Sequence, residues 1–380
     1  MARRHIRSAG IPAKSRWISA AVLMLAAMCV AEVFTPAVCL AGNAPTGTFS
    51  IVAYDSLTGE LGVAVQSRAF AVGQGVSWAE AGVGAIATQS QTNRSFGPNG
   101  LDLLRQGYSA EEVGKMLLEA DDGRENRQLG IVDARGGTFN FTGTGCSAWA
   151  GAAQGPGYSC QGNILVSEEV VTGMARAYEE TEGDLGEKLL QALVAGQAAG
   201  GDKRGMQSAA ILVVRPSDKY PEYRYKYTDL RVEDHEDPIN ELIRVYRIHE
   251  MGRLIEAHAR YMSHYESVGD ARMADLEKDR IGAMLVRSMA EEEPDAGSLN
   301  SLAWFCAINN IYLEEALAAA KQAVELSPDE GYIIDTLAEA YFRNGMVEEA
   351  IATIKRAIEI DPEDSYYREQ LERFESAVEK

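Results

Sequence analysis

The stretch Thr48-Phe49-Ser50-Ile51-Val52-Ala53 is the first strand-like run of the globular part of this chain, and Gly47 stands directly before it. It places a hydroxyl residue at the first position of a buried strand. A threonine hydroxyl is a weak nucleophile until a base lies beside it, and a free α-amino group of pKa about 7.7–8 on the same residue is such a base. The stretch therefore fits an enzyme whose nucleophile is its own first residue, or an ordinary β-forming threonine at the start of a strand.

Strand pairs alternate with helix pairs after this stretch, between residues 48 and 232. Hydrophobic periodicity predicts strands over 49–54, 61–66, 75–78, 84–90, 129–133, 138–142, 209–214 and, at a sheet edge, 223–232. It predicts helices over 101–106, 168–182 with Ser167 as cap, 185–197, and one that a Ser109–Glu112 capping box begins. The glycine-rich segment 143–163 has no clear period. The alternation indicates an α+β fold with two stacked sheets between helical layers, a four-layer αββα sandwich, although a single sheet with helices on one face stays open as the alternative.

The first 41 residues have a different composition. A basic start is followed by an apolar run over 18–30 and by a tail of small residues that ends at Cys39-Leu40-Ala41. This succession is typical of a secretory signal peptide cleaved after Ala41, while an uncleaved anchor is the alternative, although Glu32 interrupts the end of the apolar run. We expect a periplasmic or secreted protein with no stable membrane span after cleavage, in which residues 42–47 form a short segment before Thr48.

Charge and cysteine content exclude several classes of function. The formal net charge of −20 argues against a nucleic-acid partner, since nucleic acids bind cationic surfaces. Cys146 and Cys160 suit a disulfide in an oxidising compartment, with two buried free thiols as the alternative, and Cys306 is expected in the core. The chain has no CxxC, HExxH or histidine cluster, so we predict neither a metal nor a cofactor.

The C-terminal third contains an internal repeat. Pro238 opens a helical region, with long helices expected over 239–262 and 271–291. Two alanines and a proline then recur at an offset of 34 residues, namely Ala316, Ala323 and Pro328, and Ala350, Ala357 and Pro362. Small residues at this period resemble the tetratricopeptide repeat, in which they allow two helices to cross closely. We predict a helical linker or degenerate repeat over 236–296 and repeats over 297–380, which bind a protein partner or else cap or dimerise the preceding domain.

Several motifs between residues 48 and 235 together resemble one protein family. After Thr48–Ala53 they are Gly59-Glu60-Leu61-Gly62-Val63-Ala64-Val65, Gly157-Tyr158-Ser159-Cys160-Gln161-Gly162-Asn163-Ile164-Leu165, Gly196-Gln197-Ala198-Ala199-Gly200-Gly201-Asp202 and Asp229-Leu230-Arg231-Val232. These motifs are similar to those of the bacterial and archaeal domain-of-unknown-function family 1028, which is placed among the N-terminal-nucleophile hydrolases. The resemblance implies the αββα sandwich over 48–235, with Thr48 as nucleophile.

The same resemblance suggests roles for other residues. The stretch 62–69 is also similar to the second strand of proteasome β-subunits, which carry an acidic residue where this chain has Gln66 and a lysine that this chain lacks. Arg68 is therefore the candidate for lowering the pKa of the Thr48 amine, with a sheet-end ion pair as its alternative role. The further catalytic candidates are Asn163 for an oxyanion, with a turn-forming asparagine as the alternative, and Asp202 and Ser208 for orienting the amine. The substrate-binding candidates are Gln66, Thr88, Gln89 and Arg204, the last for a substrate carboxylate. For Asp202, Arg204 and Ser208 the alternative is a helix-to-strand loop that an aspartate cap holds.

Two functions follow from these expectations. The first is an exported amidohydrolase acting on a small amide or peptide-like substrate, which requires that the bond between Gly47 and Thr48 be cut by the protein itself or by an aminopeptidase. The second is a non-catalytic binding or scaffold protein of the periplasm or cell surface, whose repeats recruit a partner. A blocked Thr48 fits only the second.

Overall fold

The computed structural model of the chain describes residues 47–216 and 226–378. The predicted signal segment, residues 42–46, and the first three residues of the predicted edge strand lie outside the described residues. In the described ranges, ten strands form two antiparallel sheets.

The larger sheet has the order β10-β9-β2-β1-β8-β7, with the strand that begins at Thr48 in its interior. Its strands are β1 (Thr48–Tyr54), β2 (Leu61–Ser67), β7 (Gly151–Gly155), β8 (Tyr158–Asn163), β9 (Ser208–Val214) and β10 (Lys226–Val232). Strand β1 is paired on both sides, which sets Thr48 opposite Ser67 of β2 and opposite Asn163 of β8. This double pairing fixes the register of Thr48, because a slip would turn every side chain of β1 to the other face.

The smaller sheet has the order β3-β4-β5-β6 and stacks face to face on the larger one. Its strands are β3 (Ser77–Glu80), β4 (Gly84–Ser90), β5 (Arg127–Asp133) and β6 (Thr138–Thr142). An apolar core lies between the sheets, with Val52, Val63 and Leu212 from the larger sheet and Ala85 and Val132 from the smaller one. Both sheets are covered on both faces, so the central strands read as continuous apolar runs.

Helices cover the two outer faces and complete the αββα sandwich that the sequence predicts. Helices α2 (Phe96–Arg105) and α3 (Ala110–Glu119) pack on the smaller sheet, and α4 (Glu169–Glu180) and α5 (Leu185–Ala198) pack on the larger sheet. The Ser109–Glu112 capping box is formed. Alternate residues of β1, such as Phe49 and Ile51, point into the core under α4 and α5.

The region after the sandwich is helical, as predicted. Its elements are α6 (Pro238–His249), a π-helical turn (Glu250–Leu254), α7 (Ile255–Val268), α8 (Ala271–Met289), α9 (Ala296–Ile308), α10 (Leu313–Leu326), α11 (Gly331–Arg343), α12 (Val347–Ile360) and α13 (Ser365–Val378). The repeating alanines Ala316, Ala323, Ala350 and Ala357 are fully buried between helices, which confirms the predicted close crossings.

A buried cluster of charges joins the helical region to the sandwich. The guanidinium of Arg215, at the end of β9, lies 3.1 Å from Glu60 and 2.5 Å from Glu277 of α8. Arg280 of α8 lies 3.1 Å from the same Glu60 and 3.3 Å from Asp55. The turn between β1 and β2 is thereby held by α8, so the hairpin that carries Thr48 is supported at its far end by the helical region.

Local predictions fail where polar or small residues are buried. The segment 143–163, in which the sequence shows no clear period, contains strands β7 and β8. The period of β8 is hidden because Ser159, Gln161 and Asn163 are polar residues that are buried between the sheets. The strand predicted over 75–78 is instead a short helix α1 (Gly73–Val76) followed by β3, since a Cβ on Gly73 would lie 2.5 Å from Ala210 and only glycine permits that approach.

Two helix starts also differ from the prediction. Helix α2 begins at Phe96, five residues earlier than predicted, because the first turn of a helix tolerates Pro98. Ser167 does not cap α4, whose N-cap is Glu168 without a side-chain cap.

Candidate active site

Thr48 lies at the end of the sheet where the β1–β2 hairpin opens. Its side chain is almost fully buried, and its Oγ1 lies 3.0 Å from Oγ of Ser67, the residue opposite it on β2. The hairpin turn predicts this neighbour, because antiparallel pairing that starts with Tyr54 and Leu61 at the turn continues along both strands and sets Ser67 opposite Thr48. Ser67 is nevertheless absent from the residues that the sequence singled out as catalytic.

The carbonyl oxygen of Gly47 is held by two donors beside this pair. Ser67 donates its hydroxyl hydrogen to it at 2.5 Å, and Arg204 donates from Nη2 at 2.9 Å. A hydroxyl has one hydrogen to donate, so Thr48 is the donor in its bond with Ser67. The peptide bond before Thr48 therefore has its carbonyl polarised by a cation and a hydroxyl, with the Thr48 hydroxyl adjacent to it.

Asp202 and Arg204 form a unit behind Gly47. The carboxylate of Asp202 is fully buried and pairs with the Arg204 guanidinium at 2.5 Å and 3.0 Å. A Cβ built on Gly47 would lie 2.6 Å from Oδ2 of Asp202, so position 47 accepts glycine alone without a local shift. Arg204, predicted to bind a substrate carboxylate, is thus paired with a carboxylate of the chain itself, and the Nη2 that bonds to Asp202 also donates to the Gly47 carbonyl.

Arg68 lies on the exposed side of this unit. Its backbone N–H donates to Asp202 at 3.3 Å, and its guanidinium donates to the carbonyl of Met206 at 2.7 Å. The structure therefore brings Arg68 next to the Asp202–Arg204 loop, with its charged group directed to the loop backbone.

Ser208 and Thr88 hold two loops at the same end of the sandwich. Ser208 donates to the carbonyl of Ala69 at 2.5 Å and accepts from the N–H of Val72 at 3.1 Å. Thr88 donates to the carbonyl of Asn93 at 3.2 Å. Both residues shape the loops around Thr48, and neither hydroxyl bonds to Thr48 itself in the described residues.

A network of buried amides fills the space between the sheets beside Thr48. Gln128 accepts hydrogen bonds from Gln89 and Asn163, each at 2.9 Å, and donates to the carbonyl of Gly162 at 2.7 Å. Ser50 donates to Gln89 at 2.7 Å and accepts from Gln161 at 2.7 Å. Gln89 and Asn163 are therefore members of this network, which makes that end of the inter-sheet space polar and rigid.

Gln66 lies apart from the group. It precedes Ser67 on β2 and lies opposite Phe49 of β1, so its side chain is on the helix-covered face of the larger sheet. It is fully buried, and neither atom of its amide has a hydrogen-bond partner within residues 47–216 and 226–378.

A cavity of about 120 Å³ opens directly onto Thr48 and Ser67. Its other walls are formed by the loop before α1, by α1 itself and by the loop after β4. The lining residues of these segments are Ala69, Phe70, Ala71, Val72, Gly75, Val76, Thr92 and Arg94. Ala71 holds a left-handed backbone with φ of 53°, a conformation that is costly for a non-glycine residue and clusters at functional sites. The sequence gives no signal for Phe70, Thr92 or Arg94, since they lie in loops without a period.

The structure bears on two further groups of residues, the cysteines and the side chains that could bind a metal ion. Cys146, Cys160 and Cys306 are free thiols, and burial raises the pKa of Cys306 to about 12. Within the part of the chain that the structure describes, His, Cys, Asp and Glu side chains form no group of three able to hold a metal ion. The helices of that part all lack the length and apolar character that crossing a bilayer needs.

Comparison with known proteins supports the two-part organisation. A family model described as "Family of unknown function (DUF1028)" matches residues 48–242, and a tetratricopeptide-repeat model matches residues 313–372. The crystal structure of protein SPO2555 from Silicibacter pomeroyi, a DUF1028 protein, is similar with a TM-score of 0.50 and 31% identity, over 55% of this chain and 88% of that chain. The first TPR domain of the human RPAP3 protein is similar over 34% of this chain and 93% of that chain, at 17% identity and a TM-score of 0.25. No curated protein matches the chain.

Proposed function

We propose that this chain, which belongs to the DUF1028 family of unknown function, is an amide hydrolase of the N-terminal-nucleophile type with Thr48 as nucleophile. The observation that carries the proposal is the environment of the Gly47 carbonyl. Ser67 and Arg204 donate to its oxygen at 2.5 Å and 2.9 Å, and the Thr48 hydroxyl lies 3.0 Å from Ser67. Two donors aimed at a carbonyl oxygen beside a hydroxyl are the parts that acyl transfer requires.

In the intact chain the nitrogen of Thr48 is an amide and cannot serve as a base, so the first reaction is cleavage before Thr48. Attack of Thr48 Oγ1 on the Gly47 carbonyl carbon forms a C–O bond in a five-membered ring. The negative charge then falls on the Gly47 oxygen, where Ser67 and Arg204 donate. Breakage of the C–N bond leaves an ester, with the hydroxyl proton transferred to the Thr48 nitrogen. Water hydrolyses that ester, which releases a new carboxylate at Gly47 and frees the amine and hydroxyl of Thr48.

The same groups then act on an external amide. The free α-amine of Thr48, with a pKa of about 7.7–8 in unperturbed form, accepts the hydroxyl proton near neutral pH. Attack of the Thr48 hydroxyl oxygen on the substrate carbonyl carbon places the substrate's carbonyl oxygen where the Gly47 oxygen lay, so Ser67 and Arg204 become the oxyanion donors. The protonated α-amine gives its proton to the leaving amine as the C–N bond breaks, and water then hydrolyses the resulting ester on Thr48. The buried Asp202 carboxylate holds Arg204 in place for this role.

The substrate class follows from the cavity and the N-terminal sequence. A space of about 120 Å³ next to Thr48 admits a small amide or one end of a short peptide. The signal-like succession over residues 1–41 supports action in the periplasm or outside the cell. The candidate substrates are amino-acid amides, and short peptides or cell-wall fragments of which one end enters the cavity.

The test is the N-terminus and mass of the purified full chain over time, for the wild type and for Thr48→Ala and Thr48→Ser. We expect the wild type and Thr48→Ser to expose residue 48 as a new N-terminus and Thr48→Ala to keep Gly47. A hydroxyl-directed β-lactone is then expected to add one acyl group to the mature wild type at Thr48. Equal cleavage of Thr48→Ala would assign the cut to another protease, and a mature protein that the lactone does not label would overturn the proposal.

A second candidate function is protein binding without catalysis, favoured by the repeat match over 313–372 and by the exposed Tyr332 and Tyr366 on helices of that region. It predicts a mature chain that begins near Gly42 with Thr48 still blocked. It also predicts that Tyr332→Ser and Tyr366→Ser weaken partner binding while the N-terminus of the chain stays the same.

A further inference from the structure

The cavity beside Thr48 has one charged wall. Of the residues that line it, Arg94 alone is ionisable, and the others are apolar, glycine or hydroxyl residues. Its guanidinium lies over Gly75, because a Cβ built on Gly75 would be 3.3 Å from Nε and 3.5 Å from Nη2 of Arg94. The absence of a side chain at Gly75 is what lets the guanidinium lie flat at the cavity wall.

Arg94 differs in its contacts from the other arginines near Thr48. Arg204 is paired with Asp202, and Arg68 donates to the carbonyl of Met206. Within residues 47–216 and 226–378, no hydrogen bond or ion pair involves the side chain of Arg94. An exposed guanidinium at a cavity, in a chain of net charge −20, keeps its planar fork of donors available for an anion from outside the chain.

The rim of the cavity adds an apolar element. Phe70 is 69% exposed, in a loop that Ser208 fixes through Ala69 and Val72. A ring held on the surface beside a cation without a partner in the described ranges suits a ligand with an apolar segment and a carboxylate.

We propose that Arg94 binds a carboxylate of the substrate, so that the preferred substrates are small amides that carry a carboxylate on the part entering the cavity. This inference rests on the proposed function, since it names the substrate class of the same site. It also moves the carboxylate-binding role predicted for Arg204 to a residue that the sequence did not indicate.

The test uses two ligand pairs that differ only in charge. Binding is measured by calorimetry on the full-chain Thr48→Ala protein with glutarate and with its neutral diamide, which keeps binding separate from turnover. Hydrolysis is measured on the mature wild type with glutaryl-4-nitroanilide and with the glutaramoyl analogue, in which an amide replaces the carboxylate. We expect the carboxylate form to be preferred in both assays by about 10- to 100-fold, the range for a hydrogen bond to a charged group.

The Arg94→Gln variant is expected to abolish the preference in both assays, and Arg94→Lys to retain part of it. The matched control is Arg176→Gln, an exposed arginine that pairs with Glu169 on α4 and is expected to keep the full preference. Equal binding of glutarate and its diamide, or a preference that survives Arg94→Gln, overturns the inference.

The two proposals fail differently. Binding that depends on Arg94 in a protein that hydrolyses neither anilide upholds the carboxylate site and removes the hydrolase. Hydrolysis of both anilides at equal kcat/KM upholds the hydrolase and removes the role of Arg94.

Discussion

The hydroxyl oxygens of Thr48 and Ser67 lie 3.0 Å apart across the open end of the β1–β2 hairpin, and the Ser67 hydroxyl donates its hydrogen bond to the carbonyl of Gly47. Thr48 consequently donates to Ser67, which links the hydroxyl of the candidate nucleophile to the carbonyl of the preceding residue. Because β1 is paired on both sides, neither residue can shift along its strand without disrupting the sheet.

Replacement of Ser67 tests this link. Ser67→Ala removes one donor from the Gly47 oxygen, so the rate at which Thr48 becomes the N-terminus is expected to fall about 100-fold, the usual cost of one oxyanion donor. The rate is measured by mass spectrometry of the purified chain. Ser77→Ala is the matched control, since the Ser77 hydroxyl is buried in β3 without a partner in the described residues. An unchanged rate in Ser67→Ala would remove Ser67 from the mechanism.

Replacement of Gly47 tests the geometry behind the carbonyl. In Gly47→Ala the new Cβ would lie 2.6 Å from Oδ2 of Asp202, so either the Gly47 carbonyl or the Asp202–Arg204 pair must move. A misplacement of this kind is expected to slow cleavage before Thr48 on the order of 10- to 100-fold. Gly252→Ala, where the added methyl meets no atom within 4 Å, is expected to leave the rate unchanged. Cleavage of Gly47→Ala at the wild-type rate would contradict the proposed arrangement.

Glu277 tests the joint between the sandwich and the helical region. Burial opposes its ionisation, but the hydrogen bond from His258 and the charge of Arg215 outweigh burial and lower the pKa of Glu277 to about 2. Glu277→Gln leaves buried Arg215 undercompensated, and we expect a loss of about 3 kcal/mol in the free energy of unfolding at pH 7. Urea denaturation measures the difference.

The pH dependence of that loss has a definite sign. A carboxyl group whose folded-state pKa is lowered stabilises the fold above its ordinary pKa of 4.5, and this contribution is lost as the pH falls toward 2. The penalty of Glu277→Gln is therefore expected to shrink between pH 4.5 and pH 2.5. Glu111→Gln, which breaks an exposed pair with Lys115, is expected to cost less than about 0.5 kcal/mol at either pH. A penalty that is constant with pH would show that the charge of Glu277 is not the cause.

Asp335 in α11 gives the opposite dependence. Burial raises the pKa of Asp335 to about 7, the carboxylate of Glu339 adds to the rise and Arg373 opposes it. The folded state keeps this proton between pH 3.8 and 7 while the unfolded state loses it, so stability falls as the pH rises through that window. Asp335→Asn is expected to stabilise the helical region at pH 8, on the order of 2 kcal/mol, and to have little effect at pH 4.

Thermal unfolding followed by circular dichroism at pH 4 and pH 8 measures the effect of Asp335→Asn. The control is Asp329→Asn, an exposed position shortly before α11, which is expected to change the unfolding free energy by less than about 0.5 kcal/mol at both pH values. Equal stability of Asp335→Asn and wild type at pH 8 would contradict the assignment.

The sequence predicted the strands whose apolar residues repeat without interruption, such as β1, β2 and β9, and the helix pairs around them. It failed at β8, since that strand buries Ser159, Gln161 and Asn163, and a buried amide network has the composition of a loop. It predicted Asp202 and Arg204 as site residues from their loop, while their pairing with each other became visible only in three dimensions.

Most strands and helices, the repeats and the position of Thr48 at the front of a strand were determined by the sequence, because local periodicity and spacing encode them. The alternation of strand and helix pairs was compatible with one sheet or with two, and the stacking of two sheets was decided by the tertiary structure. The local β1–β2 hairpin places Ser67 opposite Thr48, whereas the presence of Arg204 and Arg94 at this site was decided only by the tertiary structure. These two arginines come from loops distant in sequence, and they meet at the site because loop packing places them there. The packing of distant loops is a property of the whole fold, which is why no local pattern could show that Arg204 donates to the Gly47 carbonyl or that Arg94 lines the cavity.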